Sequence, residues 1–528
     1  MNTTNSPTQT PSATAEQQAF IAELCSNRPC FLSARAGTGK TTTIKLAVQA
    51  LRAQLGTRWH PQSICAIAFN KANQLDLQKA LGTDVHVMTL HALGFQALRS
   101  AIPGIEIEDS KIFNLLKMKS SRLRKREVFA DTLRLVSSAK NWGVVREGAF
   151  GPWKLKPLAI PSSDTWAELK SHFELWNADE SVADEVLQES LEQALGSNPV
   201  IDYDDMVYLP VVLGLPIWGA ERLVVDEAQD LSPLNLAMLK KCPSKKWFVG
   251  DPYQCIYGWR GAKEDVVESL GLPVLPLTNC WRCSKEIIQE AQKFVPDIRT
   301  SNPEAGPVQR LTWLPNWSKE RPAVVLSRRN SELVSLALHL RRERVQAFIQ
   351  GKSFTKTLLE ILKGLKGQNK TQLLGSLKAW LDKSLDAYPH KSGELKDYAE
   401  CLREFIFEGQ GRSGAEKLIA ESFTDSPAPG AWILSTIHKA KGKEWPRVYL
   451  LSWTPKGTQP WQRKEERNLF YVAVTRAQSQ LVWIEESAWK PEKENWAGTQ
   501  PGKIDVLSWK KGSAEVPAFG WDLSGEAR

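Results

Sequence analysis

Short continuous apolar runs alternate with amphipathic stretches through the first hundred residues. The runs lie at residues 31–34, 64–69 and 85–89, and the stretches that follow, at 41–55, 72–81 and 91–99, space their apolar positions as helices do. Strands apolar on both faces and separated by helices predict a parallel sheet covered on both sides. Between about residues 100 and 200 this rhythm gives way to helical, charged sequence, and it resumes with runs at 222–225, 247–249 and 274–277. A second strand–helix series holds 323–327, 432–436, 448–452 and 481–485, interrupted by residues 351–429. The pattern predicts two α/β units, each with a mainly helical insertion. Residues 16–99 and 200–275 form the first unit around an insertion at 100–199. Residues 276–350 and 430–485 form the second around a shorter insertion at 351–429. Residues 1–15, rich in Asn, Thr, Ser and Pro, read as a disordered tail. Residues 486–528 carry no assignable pattern, and no repeat with a solenoid period is present.

Composition narrows the class only slightly. The 528 residues are 42% apolar and 24% charged, as in ordinary globular proteins. A formal charge of +9 suits a polyanionic partner without requiring one. No apolar run reaches membrane-spanning length and no secretory leader pattern opens the chain, so a cytoplasmic location is expected, on the nucleoid in a bacterial host. Eight cysteines in so long a chain do not make a disulfide framework. Cys280 and Cys283 form a CxxC, two ligands short of a structural zinc site.

Chemistry enters with Ala34-Arg35-Ala36-Gly37-Thr38-Gly39-Lys40-Thr41, set between an apolar run and an amphipathic helix. This is a phosphate-loop pattern with Ala in place of the first Gly. Ala36, Gly37, Thr38, Gly39 and Thr42 offer backbone N–H groups to phosphates, Lys40 reaches the terminal phosphates, and Thr41 is a magnesium ligand. In Leu223-Val224-Val225-Asp226-Glu227-Ala228-Gln229-Asp230, two adjacent carboxylates stand at the carboxyl end of a run, where ligands of open α/β sheets bind. Asp226 suits a magnesium ion, and Glu227 suits polarisation of an attacking water. A third segment, from Phe248 to Ala262, places Gln254 to sense a γ-phosphate or water. It also offers Tyr257 and Trp259 as stacking faces for bases, with Arg260 beside them.

These motifs together resemble superfamily 1A helicases of the UvrD/Rep type. Gln17 precedes the phosphate loop, and Ala68-Phe69-Asn70-Lys71 and Thr89-Leu90-His91 follow it in the family's order. Leu277-Thr278-Asn279-Cys280-Trp281-Arg282, the segment Ser435 to Trp445 and the segment Glu465 to Ala477 complete the set. The resemblance brackets residues 16–485 and is closest in flavour to the motor of F-box DNA helicases. It implies two RecA-like P-loop NTPase domains and the cofactors ATP and Mg2+. Gln17 would read adenine, Trp281 would stack on it, and Glu444 would contact the ribose. Arg282 and Arg476 would reach the γ-phosphate from the second unit. Phe69, Asn70, Thr89, His91, Tyr257, Trp259, Arg260, Thr436 and His438 would line the path of a DNA strand. Arg35, Cys280 and Lys443 depart from the family pattern.

The resemblance implies an ATP hydrolase and a DNA helicase moving 3′ to 5′ on single-stranded DNA or single-stranded tails, in repair or recombination. The alternative is a DNA-gated ATPase subunit of a nuclease or defence complex, with a loading partner and little unwinding of its own. RNA is a third candidate substrate. The basic run from Lys117 to Arg126 reads either as a phosphate grip or as a solvated helix face. Gly502 to Asp505 faintly suggests the start of a nuclease segment, with too few residues after it for a domain.

Overall fold

The structure, a computed structural model, describes residues 13–123, 126–173, 175–256, 269–387, 392–455 and 460–485. Two six-stranded sheets organise it. The first contains β1 (Phe31–Ala34), β2 (Ile64–Ala68), β3 (His86–Thr89), β4 (Arg222–Val225), β5 (Lys245–Gly250) and β6 (Val274–Leu277), in the spatial order β6-β1-β5-β4-β2-β3. Every pairing is parallel. β1, β2 and β4 are buried at every position, which is why they read as unbroken apolar runs.

The second sheet contains β7 (Val308–Leu311), β8 (Val324–Ser327), β9 (Ala347–Ile349), β10 (Trp432–Thr436), β11 (Trp445–Leu451) and β12 (Ala477–Ile484). Its order is β7-β12-β11-β8-β10-β9, again parallel throughout. The expected fold class, two parallel-sheet α/β units of RecA type, is what the chain adopts. β7 and β9 are strands that apolar patterning missed. Both are short sheet edges, and no position of β7 is fully buried.

The stretch between the two halves of the first sheet is mainly helical, with helices Lys111–Met118, Arg126–Asn141, Ser163–Phe173 and Glu180–Leu195. It is not free of strands, as its sequence suggested. Glu106–Ile107 pairs with Val200–Ile201, and Gly148–Phe150 forms a hairpin with Trp153–Leu155. Within the basic run, Lys119 donates to Glu189 at 2.7 Å and Arg122 to Glu185 at 2.7 Å. Those cations are therefore engaged by a neighbouring helix. A buried charge cluster ties the helices of the insertion to the start of the helix Asp205–Val212. The Lys140 ammonium lies 2.6 Å from Asp202 and 2.7 Å from Asp205, and Lys111 lies 2.8 Å from Asp205. Removing one member would strand an uncompensated charge in the interior.

Four helices, Lys352–Gly364, Lys370–Ala387, Ser392–Gly409 and Arg412–Ser422, interrupt the second series and share a core with β10 through Leu434 and Trp432. The two units meet directly. Ala36 and Ile256 of the first unit pack in the same apolar cluster as Tyr471 and Ile437 of the second. No helix among the described residues is long and apolar enough to cross a membrane.

Candidate nucleotide site

The chain leaves β1 into a loop whose geometry only glycine accommodates. Gly37 has φ +68°, and a Cβ built there would meet the Arg282 Cβ at 2.7 Å and the Cys280 Sγ at 2.8 Å. Gly39 has φ +86° and is the N-cap of the helix Lys40–Leu55. Positive φ at both positions turns successive N–H groups to one side, and the helix start adds positive potential. Thr41 and Thr42, in the first turn, are exposed.

Lys40 folds back onto the carboxylates at the end of β4, its ammonium 2.9 Å from both oxygens of Glu227. Burial opposes its charge, but Glu227, Asp226 and Asp251 outweigh burial and hold its pKa above the ordinary lysine value. The same cluster splits its acids. Burial and the Glu227 charge raise Asp226, while the charges of Lys40 and Lys441 overcome burial and hold Glu227 below the usual carboxylate range. Glu227 also adopts φ +52°, a conformation that non-glycine residues keep only when their surroundings enforce it. Its backbone N–H donates to Asp226 Oδ1 at 3.0 Å, and its carboxylate accepts from Gln229 Nε2 at 2.5 Å. Gln254 donates to Asp251 at 2.8 Å.

Gln17 sits on the other flank of the loop. Its Oε1 accepts from the Thr14 N–H at 3.0 Å, completing a capping box, and its Nε2 donates to Thr43 Oγ1 at 3.2 Å. Trp281 donates its backbone N–H to the Gly37 carbonyl at 2.9 Å, while its side chain is 52% exposed and presents a face to incoming planar groups. Arg282 pairs with Glu444, which also accepts from Gln478 at 3.0 Å. Arg476 is buried and donates to Val472 O at 2.9 Å, Lys443 O at 3.0 Å and Thr475 Oγ1 at 3.1 Å, all within its own unit. Burial and the Arg282 charge pull its guanidinium down to about 10.

The loop, the two acids, Lys40, Gln254 and Arg282 are thus gathered at one seam. Arg476 stands beside them, next to Thr475, whose carbonyl accepts from Arg282 at 3.3 Å. The residues fit magnesium and a nucleotide. Burial and the Glu227 charge hold Asp226 above the usual carboxylate range, and a divalent cation held with Thr41 would favour its charged form. A loop with glycines at 37 and 39 opening a helix, fronted by an ammonium, matches a phosphate chain.

Sequence reasoning missed the residues that join the two units here. Tyr471 Oη accepts from the Ala36 N–H at 2.8 Å and donates to Asp251 Oδ2 at 3.2 Å. Lys441 donates to Asp230 Oδ2 at 2.6 Å and to the Gln254 carbonyl at 2.8 Å. Burial pushes Asp230 up to about 6 against the pull of Lys441. Arg35 reaches Asp297 through two bonds, of 2.8 and 2.5 Å, with its guanidinium 4.8 Å from the Tyr253 ring centroid. The signal was available for Arg35, a charged side chain inside a phosphate loop.

The expected strand path is less compact. Asn70 caps the helix Lys71–Leu81 and Thr89 caps Leu90–Ala101, each through its side-chain oxygen. His91 is exposed beside Thr89, and Phe69 is half-buried at the end of β2. Thr436, buried, ends β10, and His438 follows it. Burial, with Arg328 and Lys441 nearby, drives the His438 imidazole down to about 3. Tyr257, Trp259 and Arg260 lie outside the described residues, as do residues 1–12 and 486–528.

Comparison with known proteins places the same segments in one family. Residues 13–271 match the UvrD/REP helicase N-terminal domain, and residues 417–487 match the UvrD-like helicase C-terminal domain. The ATP-dependent DNA helicase Rep of Buchnera aphidicola is 26% identical over 300 residues, covering 51% of this chain and 41% of that protein. The F-box DNA helicase protein 1 of Schizosaccharomyces pombe is 23% identical over 586 residues, covering 97% of this chain and 64% of that protein. The ATP-dependent DNA helicase PcrA of Bacillus subtilis is 24% identical over 306 residues, covering 52% of this chain and 38% of that protein. The matches span less than half of the two bacterial relatives.

Proposed function

The chain belongs to the UvrD/REP helicases, and from that premise we propose that it hydrolyses ATP to move 3′ to 5′ along single-stranded DNA and to separate strands ahead of it. The observation that carries this reading is the seam itself. Around the Lys40–Glu227 pair, Ala36 and Asp251 meet Tyr471 of the second unit and Asp230 meets Lys441, so a nucleotide bound on the loop would touch both units at once.

Magnesium held by Thr41 and Asp226 would neutralise phosphate charge, as such ions do in phosphoryl transfer. Glu227, kept ionised, would accept the proton of the attacking water, with Gln254 orienting it. Lys40 would exchange its Glu227 contact for the terminal phosphates. That exchange frees the carboxylate for its role as base at the moment the nucleotide enters. Arg282 and Arg476 would bring positive charge to the transferring phosphoryl group, a contribution of roughly 10³ to 10⁵ in rate in related hydrolases. Glu444, now on Arg282, would turn to the ribose.

Coupling follows from the same contacts. Closure sets Arg282 against Gly37, and loss of the γ-phosphate would weaken the attraction that holds it there. Phe69, Asn70, Thr89 and His91 on the first unit, with Thr436 and His438 on the second, would hold the strand in turn. Tyr257, Trp259 and Arg260 would extend that path. A role in repair or recombination accords with this activity.

The test is ATP turnover by the purified chain with and without single-stranded DNA, and with RNA of matched sequence. Stimulation by DNA is expected, with loss of turnover in Lys40→Ala and in Arg476→Ala. Turnover near wild type in either variant would remove that residue from the mechanism. Stimulation without strand displacement would favour a gating subunit.

A further inference from the structure

Cys280 and Cys283 are nucleophilic side chains at the seam that the nucleotide chemistry leaves unused. Cys280 ends the short strand Asn279–Cys280, and Cys283 directly precedes Ser284, the N-cap of the helix Lys285–Gln292. Trp281 and Arg282 lie between them. The Cys280 sulfur accepts the Cys283 backbone N–H at 3.4 Å, and it also receives the Arg282 backbone N–H and the Cys283 thiol. On its far side it abuts Gly37, with only 2.8 Å to the position a Cβ would take. The Cys283 thiol also faces the carbonyl of Thr475 at 3.8 Å, next to Arg476. The pair therefore spans the phosphate loop, Arg282 and the segment carrying Arg476.

Backbone donors, a thiol donor and a guanidinium converging on one sulfur are the surroundings that favour a thiolate. Cys280 accordingly ionises below the ordinary thiol range, and Cys283, its donor and buried, ionises well above it. Both are fully buried in this arrangement. A reagent reaches them when the units part.

We propose that Cys280 and Cys283 are a thiol pair that a peroxide closes to a disulfide, and that closure moves Arg282 off the phosphate loop and stops nucleotide turnover. The inference rests on the ATP-hydrolysing reading above. The Cys280 thiolate attacks one peroxide oxygen, the O–O bond breaks, and hydroxide leaves to become water, giving a sulfenic acid. The Cys283 sulfur then attacks the Cys280 sulfur, its thiol proton goes to the departing oxygen, the S–O bond breaks and a second water leaves. Two electrons pass from the two sulfurs to the peroxide. The sulfurs must draw in from hydrogen-bond contact to about 2.05 Å. Cys283 then gives up the Thr475 carbonyl, and the turn tightens with Arg282 at its centre. Arg282, whose Cβ packs directly over Gly37 where a Cβ would not fit, would shift with it.

The experiment treats the reduced full chain with hydrogen peroxide, maps disulfides by peptide mass spectrometry and measures ATP turnover before and after dithiothreitol. A disulfide joining Cys280 to Cys283, at least a tenfold loss of turnover and recovery on reduction are expected. A non-hydrolysable ATP analogue with magnesium should slow closure by holding the units together. Cys283→Ser should keep reduced-state turnover and trap the sulfenic acid, so that dimedone labels Cys280; Cys280→Ser should abolish both label and peroxide sensitivity. Oxidation confined to the half-buried Cys25 and Cys255 would overturn the pair. A 280–283 disulfide that leaves turnover within twofold would overturn its regulatory effect. A reduced chain that hydrolyses no ATP would instead refute the function proposed above, and the disulfide map would still decide whether the pair closes.

Discussion

Replacing Tyr471 with Phe removes one oxygen from the seam and little else. The ring is fully buried and stays packed, so the change creates almost no cavity. What it removes is the acceptor of the Ala36 N–H at 2.8 Å and a donor to Asp251 at 3.2 Å. Ala36 is 1% exposed, so in the closed arrangement its N–H would have no water to turn to. A buried donor left without a partner costs about 1–3 kcal/mol. When the units part, that N–H is hydrated and the cost disappears, so the penalty falls on closure. At about 2 kcal/mol the closed population drops roughly 30-fold, since about 1.4 kcal/mol is a factor of ten. DNA-stimulated ATP turnover of Tyr471→Phe should therefore fall about 30-fold, within a range of about 5- to 150-fold. Tyr449→Phe is the matched control, because that hydroxyl donates to Glu320 at 3.0 Å inside the second unit. If Tyr471→Phe turns over within twofold of wild type, or loses no more than Tyr449→Phe, closure through this hydroxyl is not part of catalysis.

Other variants probe other links. Lys441→Met removes the ammonium between Asp230 and the Gln254 carbonyl, and turnover should fall at least tenfold with the melting midpoint nearly unchanged, as read by kinetics beside calorimetry. Asp297→Asn leaves the Arg35 guanidinium buried without its carboxylate, which should cost about 1–3 kcal/mol in denaturant melts. His438 gives a pH signature. Its folded pKa, about 3, lies below the ordinary 6.5, so the unfolded chain binds the extra proton between those values. The stability it contributes is complete above pH 6.5 and is lost as pH falls toward 3. Unfolding measured from pH 4 to 7 should show a shallower acid loss in His438→Gln, and an unchanged slope would mean the imidazole is not held neutral.

Where the sequence spoke clearly, the physics was local. β1, β2 and β4 are buried on both faces, and a fully buried strand must be an unbroken apolar run. The phosphate loop was legible because Gly37 and Gly39 are required by backbone geometry, and the acids of β4 because they end such a run. β7 and β9 were not legible, since β7 has no fully buried position and β9 is only three residues long, too short to carry a pattern. The partners across the seam were hidden for a different reason. Tyr471 lies 435 residues from Ala36, and Lys441 lies 211 from Asp230. Nothing in the local pattern around a tyrosine says which distant N–H its hydroxyl will meet. The basic run from Lys117 to Arg126 left two readings open, because charge alone does not reveal that Lys119 and Arg122 face Glu189 and Glu185.

Strand displacement on duplexes carrying a single-stranded tail at either the 3′ or the 5′ end, with ATP and magnesium, bears most directly on the whole account. Wild-type protein should release the strand from the 3′-tailed duplex and leave the 5′-tailed one paired, and Arg476→Ala should release neither. Equal release from both duplexes, or release by Arg476→Ala at the wild-type rate, would contradict a motor driven by phosphate chemistry between its two units.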